Sequence, residues 1–457
     1  MTVPRISLII PTVALGMGLQ DVSLERGISL KPDVIACDAG STDSGPFYLG
    51  SATPKMSRSV ILQDWRRLLL ARDQLKIPLI IGSCGTSGVD YGVEWMREIT
   101  LEVAREEHFG FKLGMVYSEQ NPELMVQAFQ SGNIEALLGA PEIDEQIIQN
   151  CSHIVALMGH EPIVHLLESK CDVILCGRAS DAALFAAVPL MHDFPAGPVW
   201  HCAKTIECGA ICSTVTGADG VYAEIDDKSF TVEPLSLDAS CTPHSLASHT
   251  LYENADPYLI REPSGTLDTE KARYHAISER VTRVEGSEFC PKRYTLKLEG
   301  AAFSGFQTVA IGGVRDPYIL ARVDSWLAEM KLFFAERLKE LTGKTLGEEV
   351  QIDIAQYGRN AVMGKLEPLL EQIPHELGLL FTVTAPEQTL ANDVARFVTH
   401  AASHWPISEW DGFISGIAFP FSPPEIDRGP VYRFTLNHVL IPESPLSAFR
   451  FEVEDIQ

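Results

Sequence analysis

One recurring pattern dominates the chain up to Val215 and leaves few folds open to it. Short β-branched runs are each followed by a turn rich in Gly, Ser or Asp. Residues 5–11 lead into 13–19, 33–37 into AGSTDSGP, 77–81 into GSCGTSG, and 171–176 into GRASD. Helical stretches follow the last two of these turns, at 93–107 and 182–188. Strands that are apolar throughout must be covered on both faces, and their alternation with helices places them in a parallel sheet. Loops at the carboxyl ends of such strands meet in one crevice, so the Gly-rich turns are expected to share a site.

Further material of the same kind fits between them. Phe111–Tyr117 reads as a strand and 122–131 as a helix, with more αβ sequence at 145–157 and 162–169. From Gly217 the pattern changes to alternating strands, Val221–Ile225 and Ser229–Pro234, and then to 240–268, a stretch dense in His, Tyr, Glu and Pro with weak periodicity. A loop so long is usually functional or an inserted cover. Beyond Arg273, strands at 294–299, 350–357, 379–385 and 430–439 mix with helices at 316–341 and 389–403. The expected fold class is α/β, with a Rossmann-like αβα parallel-sheet domain over 1–270 followed by an α+β domain over 271–457.

Charge narrows the function classes. The 36 basic and 61 acidic side chains leave a formal charge of −25, with no Lys/Arg stripe to oppose it, which disfavours nucleic acid and anionic membranes as partners. No uncharged apolar run reaches the roughly 18 residues of a membrane helix. The nearest, at 6–19, is interrupted by Pro11, Gly16 and Gly18 and reads as a buried strand and turn rather than a signal peptide. The ten cysteines contain no CxxC pair, so free thiols in the reducing cytoplasm are expected. Only Cys202, Cys208 and Cys212 cluster, and their gaps match no iron–sulfur spacing, so buried small hydrophobes are the favoured reading.

Several segments carry chemistry. After the second apolar run, Asp38, Ser41, Thr42 and Asp43 crowd a strand end with hydroxyls and carboxylates. Residues 82–88, with Ser83, Gly85 and Thr86, resemble an anion cradle, although no Lys follows and this is not a nucleotide loop; tight packing explains them equally well. Arg178 could hold a substrate carboxylate, or pair internally with Asp181. Lys204, Glu207 and Cys208 share a helix face, which suits acid/base chemistry or an ordinary salt bridge. In 241–263, a helix from Ser245 to Glu253 would put His249 and Glu253 on one face with Ser245 a turn earlier and Tyr252 beside them. That pair suits a carboxylate-oriented base more than a metal half-site, and a capped surface helix would serve as well. Near the end, QYGRNAVMG and FSPPEIDRGPVYRFTLNHV are polar and turn-rich beside strands.

Read together, DAGSTDSGPFYLGS, GSCGTSG, GRASD, WHCAKTIECGA, CTPHSLASHTLYE and the closing SPP, GPVY and LNHV resemble the acyclic terpene utilisation family AtuA, in the same order and from about Ile6 to His438. Ser44 stands where that pattern usually has Pro, and Cys202 and Cys212 where it has small residues, which argues further against a metal cluster. The resemblance implies a role in catabolism through acyl or carboxylate intermediates, and a small ferredoxin-like partner domain that would here come from another polypeptide.

With no redox-cofactor fingerprint, the leading expectation is a cytoplasmic, homo-oligomeric lyase or hydratase acting on a small carboxylate or acyl compound, acyl-CoA included, without a cofactor. Arg178 and the amides of 82–88 would hold the anion, His249 oriented by Glu253, or Lys204, would move the proton, and Asp38 and Asp43 would position a hydroxyl or water. The rival readings are a ligand-binding subunit of a heteromeric complex and a divalent-metal enzyme.

Overall fold

The computed structural model describes residues 4–217, 219–251, 254, 256–407 and 415–457. The early apolar runs are strands β1 (Ile6–Ile10), β2 (Val34–Asp38) and β3 (Leu79–Gly82), followed by β4 (Phe111–Tyr117), β5 (Ile134–Ala136), β6 (His153–Leu157) and β7 (Val173–Cys176). Five of them lie side by side in parallel in the order β1-β2-β3-β7-β4. Every residue of β1, β2, β3 and β7 is buried, the reason their sequences do not alternate.

Successive side chains still point to opposite faces. Ile9, Ile35, Ile81 and Leu175 pack on one face beneath the helices Asp21–Ser29, Arg58–Leu75 and Asp90–Glu107, through Leu24, Trp65 and Met96. Leu8, Ala36, Ile80 and Ile174 pack on the other beneath Glu161–Glu168, Asp181–Met191 and Ala196–Ile206, through Ile163, Phe185 and Trp200. The helix after β3 therefore covers one face while the helix after its neighbour β7 covers the other. Carboxyl ends where adjacent strands send their connections to opposite faces are where sheets of this kind bind ligands.

Antiparallel strands extend this core into a ten-stranded sheet. Strands β8 (Val221–Ile225) and β9 (Ser229–Pro234) add beyond β1, followed by Thr282–Glu285 and Arg273–Ala276, while Arg450–Ile456 pairs with β4 at the opposite edge. The chain forms two compact units, Met1–Ala302 with Phe434–Gln457, and Phe303–Arg433, instead of dividing near residue 270. Alternation marks a strand but not its partner, and the strands just past 270 complete the first sheet.

In the second unit, strands Gln351–Tyr357 and Leu377–Ala385 pair antiparallel, and helices Val323–Thr342 and Gln388–Ser403 contribute Phe334 and Val398 to a core with Leu377 and Phe381. This is the α+β pattern expected. The helix expected over 316–341 is broken at Arg322, which separates Pro317–Ala321 from Val323–Thr342. Among the described residues, no helix is long and apolar enough to cross a membrane.

The carboxyl-edge loops interlock through glycine. Gly88 has φ +69, and a Cβ there would lie 2.1 Å from the Arg178 backbone nitrogen, whereas Gly139, at φ +77, has nothing within 4 Å of that position. Gly139→Ala should cost about 1–2 kcal/mol from the left-handed backbone alone. Gly88→Ala should cost roughly 2–5 kcal/mol, because the two loops must also separate. Urea denaturation of both variants checks this; equal losses would show that the loops yield freely.

Candidate functional site

Three loops converge at the crevice. In the one after β2, the Asp38 carboxylate is buried, accepts a hydrogen bond from Gly40 N (2.7 Å) through Oδ2, and leaves Oδ1 without a partner among the described residues. Ser41 and Asp43 bond to each other (2.7 Å) at the surface, and Thr42 between them is buried.

The loop after β3 is enclosed by its neighbours. Ser83 and Thr86 adopt φ of +46 and +81, a left-handed backbone that non-glycine residues keep only where their surroundings enforce it. The amides of Ser83 and Cys84 donate to Gly177 O and Cys176 O (both 3.0 Å), and Gly88 N donates to Cys84 O (3.2 Å). At the following helix start, Asp90 N donates to Glu119 Oε2 (2.9 Å). The amides of Ser83, Cys84 and Gly88 thus go to backbone carbonyls, as the tight-packing alternative supposed. Gly85 serves packing, since a Cβ there would meet Gly92 Cα at 2.5 Å, and the Thr86 hydroxyl accepts from Lys55 N (3.0 Å).

The loop after β7 organises the rest. Buried Arg178 donates from Nε to Glu299 Oε2 (2.9 Å) and from Nη1 to Ser83 Oγ (3.2 Å) and Ala179 O (3.0 Å), with Asp181 Oδ1 at 3.5 Å. The internal pairing weighed for Arg178 is present, but its closest carboxylate is Glu299. Two residues along, Ser180 Oγ donates to Glu262 Oε2 (2.7 Å). Lys204, near the end of helix Ala196–Ile206, is hydrogen-bonded to buried Glu207, so this pair is enclosed and not a surface salt bridge.

Burial and mutual charge set the protonation of these groups. Burial alone would discharge Lys204, but Glu207, Glu262 and Asp181 hold its ammonium above the ordinary value. Burial raises Glu262 to about 7, against the Ser180 hydrogen bond and the Lys204 charge. Glu207, Asp181 and Asp38 are likewise raised by burial, Asp38 the more so because Asp181 is close. Glu299 goes the other way: Arg178 and Lys297 overcome its burial and lower it to about 2.

His249 closes the helix Pro243–His249 and is buried; burial and the nearby Lys204 charge depress it to about 4, so it is neutral at neutral pH. Ser245 is committed to a capping box, accepting from Thr242 N (3.0 Å) and donating to Thr242 O (3.1 Å), which is the helix-cap role rather than a ligand contact. Tyr252 and Glu253 lie outside the described residues, so the expected His249–Glu253 pair does too. Cys208 is partly buried and precedes the short turn Gly209–Cys212. Among the described residues, no three His, Cys, Asp or Glu side chains are grouped as metal ligands.

The arrangement therefore joins Asp38, Ser83, Arg178, Asp181, Lys204, Glu207 and His249, all named from the sequence, with Glu262 and Glu299. Glu299 lies two residues after Lys297 in the strand Leu296–Val314, a spacing that puts both on one face but does not single it out. Nothing local marks Glu262.

The model of the acyclic terpene utilisation family protein AtuA matches residues 81–217 and 222–410. The chain belongs to the AtuA family. That match spans the loops after β3 and β7, the Lys204 helix and the segments carrying Glu262 and Glu299, and it associates the chain with acyclic terpene utilisation. No curated protein and no solved structure matches.

The raised acids make stability fall as pH rises. Glu262 keeps its proton in the folded state to about 7, against an ordinary 4.5, so the stability it contributes is complete below 4.5 and is lost on the way to 7. Glu262→Gln should reduce the decline between those pH values by about 1–3 kcal/mol. Denaturation midpoints across that range test this; an unchanged slope would place the titration elsewhere.

Proposed function

We propose that this AtuA-family chain is an acid/base enzyme, a lyase or hydratase acting on a small carboxylate or acyl compound. The supporting observation is the proton-holding cluster at the crevice. There burial raises Asp38, Asp181, Glu207 and Glu262, the cation Arg178 pairs with Glu299, and Lys204 pairs with Glu207. Enclosed cations among proton-holding carboxyls suit an anionic substrate and an enolate that develops during proton abstraction.

In this reading, ionised Glu262 or neutral His249 takes the proton α to the carbonyl, and the C–H electrons become the carbon–carbon double bond. The C–O bond breaks as the Asp38 carboxyl gives its proton to the departing hydroxyl, releasing water; hydration is the reverse. Lys204 is charged, so it contributes field rather than accepting the proton. Of the two candidate bases, Glu262, raised to about 7, is the better matched to this work.

Glu262→Gln and His249→Gln, assayed on a panel of hydroxy and unsaturated acids and their thioesters, should identify the base by a fall in kcat of about 10²–10⁴ with little change in KM. Undiminished rates in both would remove that role. Ligand-induced stabilisation without turnover in the unmodified protein would instead indicate a binding subunit.

The overall charge of −25 opposes an acidic substrate, whereas of the attractive groups Arg178 is buried and Lys204 partly so. Salt screens exposed charges far more than enclosed ones. Raising ionic strength should therefore tighten apparent substrate affinity, read as a lower KM between about 20 and 200 mM salt. A steep loss of affinity would mean that exposed cations bind the substrate.

A further inference from the structure

In the second unit, the connection between strands Gln351–Tyr357 and Leu377–Ala385 is built unlike an ordinary loop. Connections are usually polar, yet here Tyr357, Val362, Met363, Leu366, Leu369 and Ile373 are each half or more exposed, Val362 at 88% and Leu366 at 81%. The backbone that carries them is fastened in place. Arg359 donates from Nη1 and Nη2 to the two carboxylate oxygens of Asp324 (2.6 and 2.7 Å), in the first turn of helix Val323–Thr342, and from Nε to Leu370 O (3.3 Å). The amides of Asn360 and Ala361 donate to Gln356 O (3.1 and 3.0 Å), and that of Gly364 to Asn360 O (2.8 Å). One exposed aliphatic residue is commonplace, but a group this dense on a fixed backbone marks an interaction surface.

The same loop bounds a groove of about 360 Å³, with Leu320, Val323, Leu370 and Ile373 as its aliphatic lining and Arg322, Asp324, Arg359 and Glu371 on its polar side. Protruding side chains and a recess on one surface are what a two-fold contact needs, since each copy then both fills and is filled. Charge points the same way. The chain carries −25, so two copies repel as wholes, whereas in residues 357–374 Arg359 and Lys365 balance Glu367 and Glu371 and the formal charge is zero. The six apolar residues expose on the order of 700 Å² per copy, close to the roughly 800 Å² that each side of a stable interface buries. We propose that a second copy of this chain docks here about a two-fold axis. Val362 and Leu366 of each copy enter the groove of the other, and Lys365 of each meets the acidic side chains of the other's loop.

This contact is independent of the proposed reaction and is read as mass, so either can fail without the other. Sedimentation equilibrium of the full chain between about 1 and 50 μM should give at least twice the 50.2 kDa of one copy. Val362→Asp combined with Leu366→Asp should weaken the association by about a hundredfold or more and at least halve the mass, with the circular dichroism spectrum unchanged. Lys365→Glu keeps every apolar group and gives each loop a charge of −2, so it should weaken association about tenfold at low salt and less at high salt. Val22→Asp, at a residue 70% exposed on helix Asp21–Ser29, should leave the mass unchanged. A chain that stays at 50.2 kDa over this range, a mass that survives the double substitution, or an equal loss with Val22→Asp would overturn the proposal. If the double variant fails to fold, Lys365→Glu decides alone, and an undiminished association would then count against the contact.

Discussion

The enclosed ion pair between Arg178 and Glu299 is the constraint on which the carboxyl edge of the sheet depends. Taking two charges out of water is expensive, and the attraction between them offsets that cost only with close geometry and further hydrogen bonds. Here Ser83 Oγ and Ala179 O accept from Arg178 Nη1, and Lys297 adds a second cation to Glu299 at 2.8 Å. The guanidinium is therefore held by the loop after β3, by its own loop and by a strand more than a hundred residues away. With Arg178 placed, Ser180 and Asp181 follow within the same turn, and Glu262 is fixed through Ser180.

Burial and pairing also divide the charge at this edge of a strongly acidic protein. The whole surface carries the excess of carboxylates, but at the site burial raises Asp38, Asp181, Glu207 and Glu262 above their ordinary values, while the carboxylates beside them hold Arg178 and Lys204 charged. Desolvation acts on every ionisable group alike, disfavouring charge. Contact with opposite charges then decides which few groups keep it, and those are Arg178, Lys204 and Glu299. Formal charge counted along the chain says nothing of this division.

Much of the architecture was legible from the order of residues. Continuous apolar runs in β1, β2, β3 and β7 announced a doubly covered parallel sheet, and the Gly-rich turns after β2, β3 and β7 do meet at one edge. Less legible was pairing: Arg273–Ala276, Thr282–Glu285 and Arg450–Ile456 join the first sheet from segments that sequence alone placed in another domain. The loop after β3 shows the limit of composition, because its glycines serve close approach to Arg178 and Gly92 and most of its bonded amides face neighbouring carbonyls.

The sequence by itself determined that the chain forms an α/β sheet, that short polar side chains collect at its carboxyl edge, and that Asp38, Arg178, Lys204 and His249 are candidates for chemistry. These follow from local periodicity and residue type, which need no knowledge of distant partners. Only the tertiary structure decided that Arg178 is held by Glu299 and that Glu262 stands beside Ser180. Those outcomes depend on which segments touch and how far water is excluded, and both are properties of the packed chain.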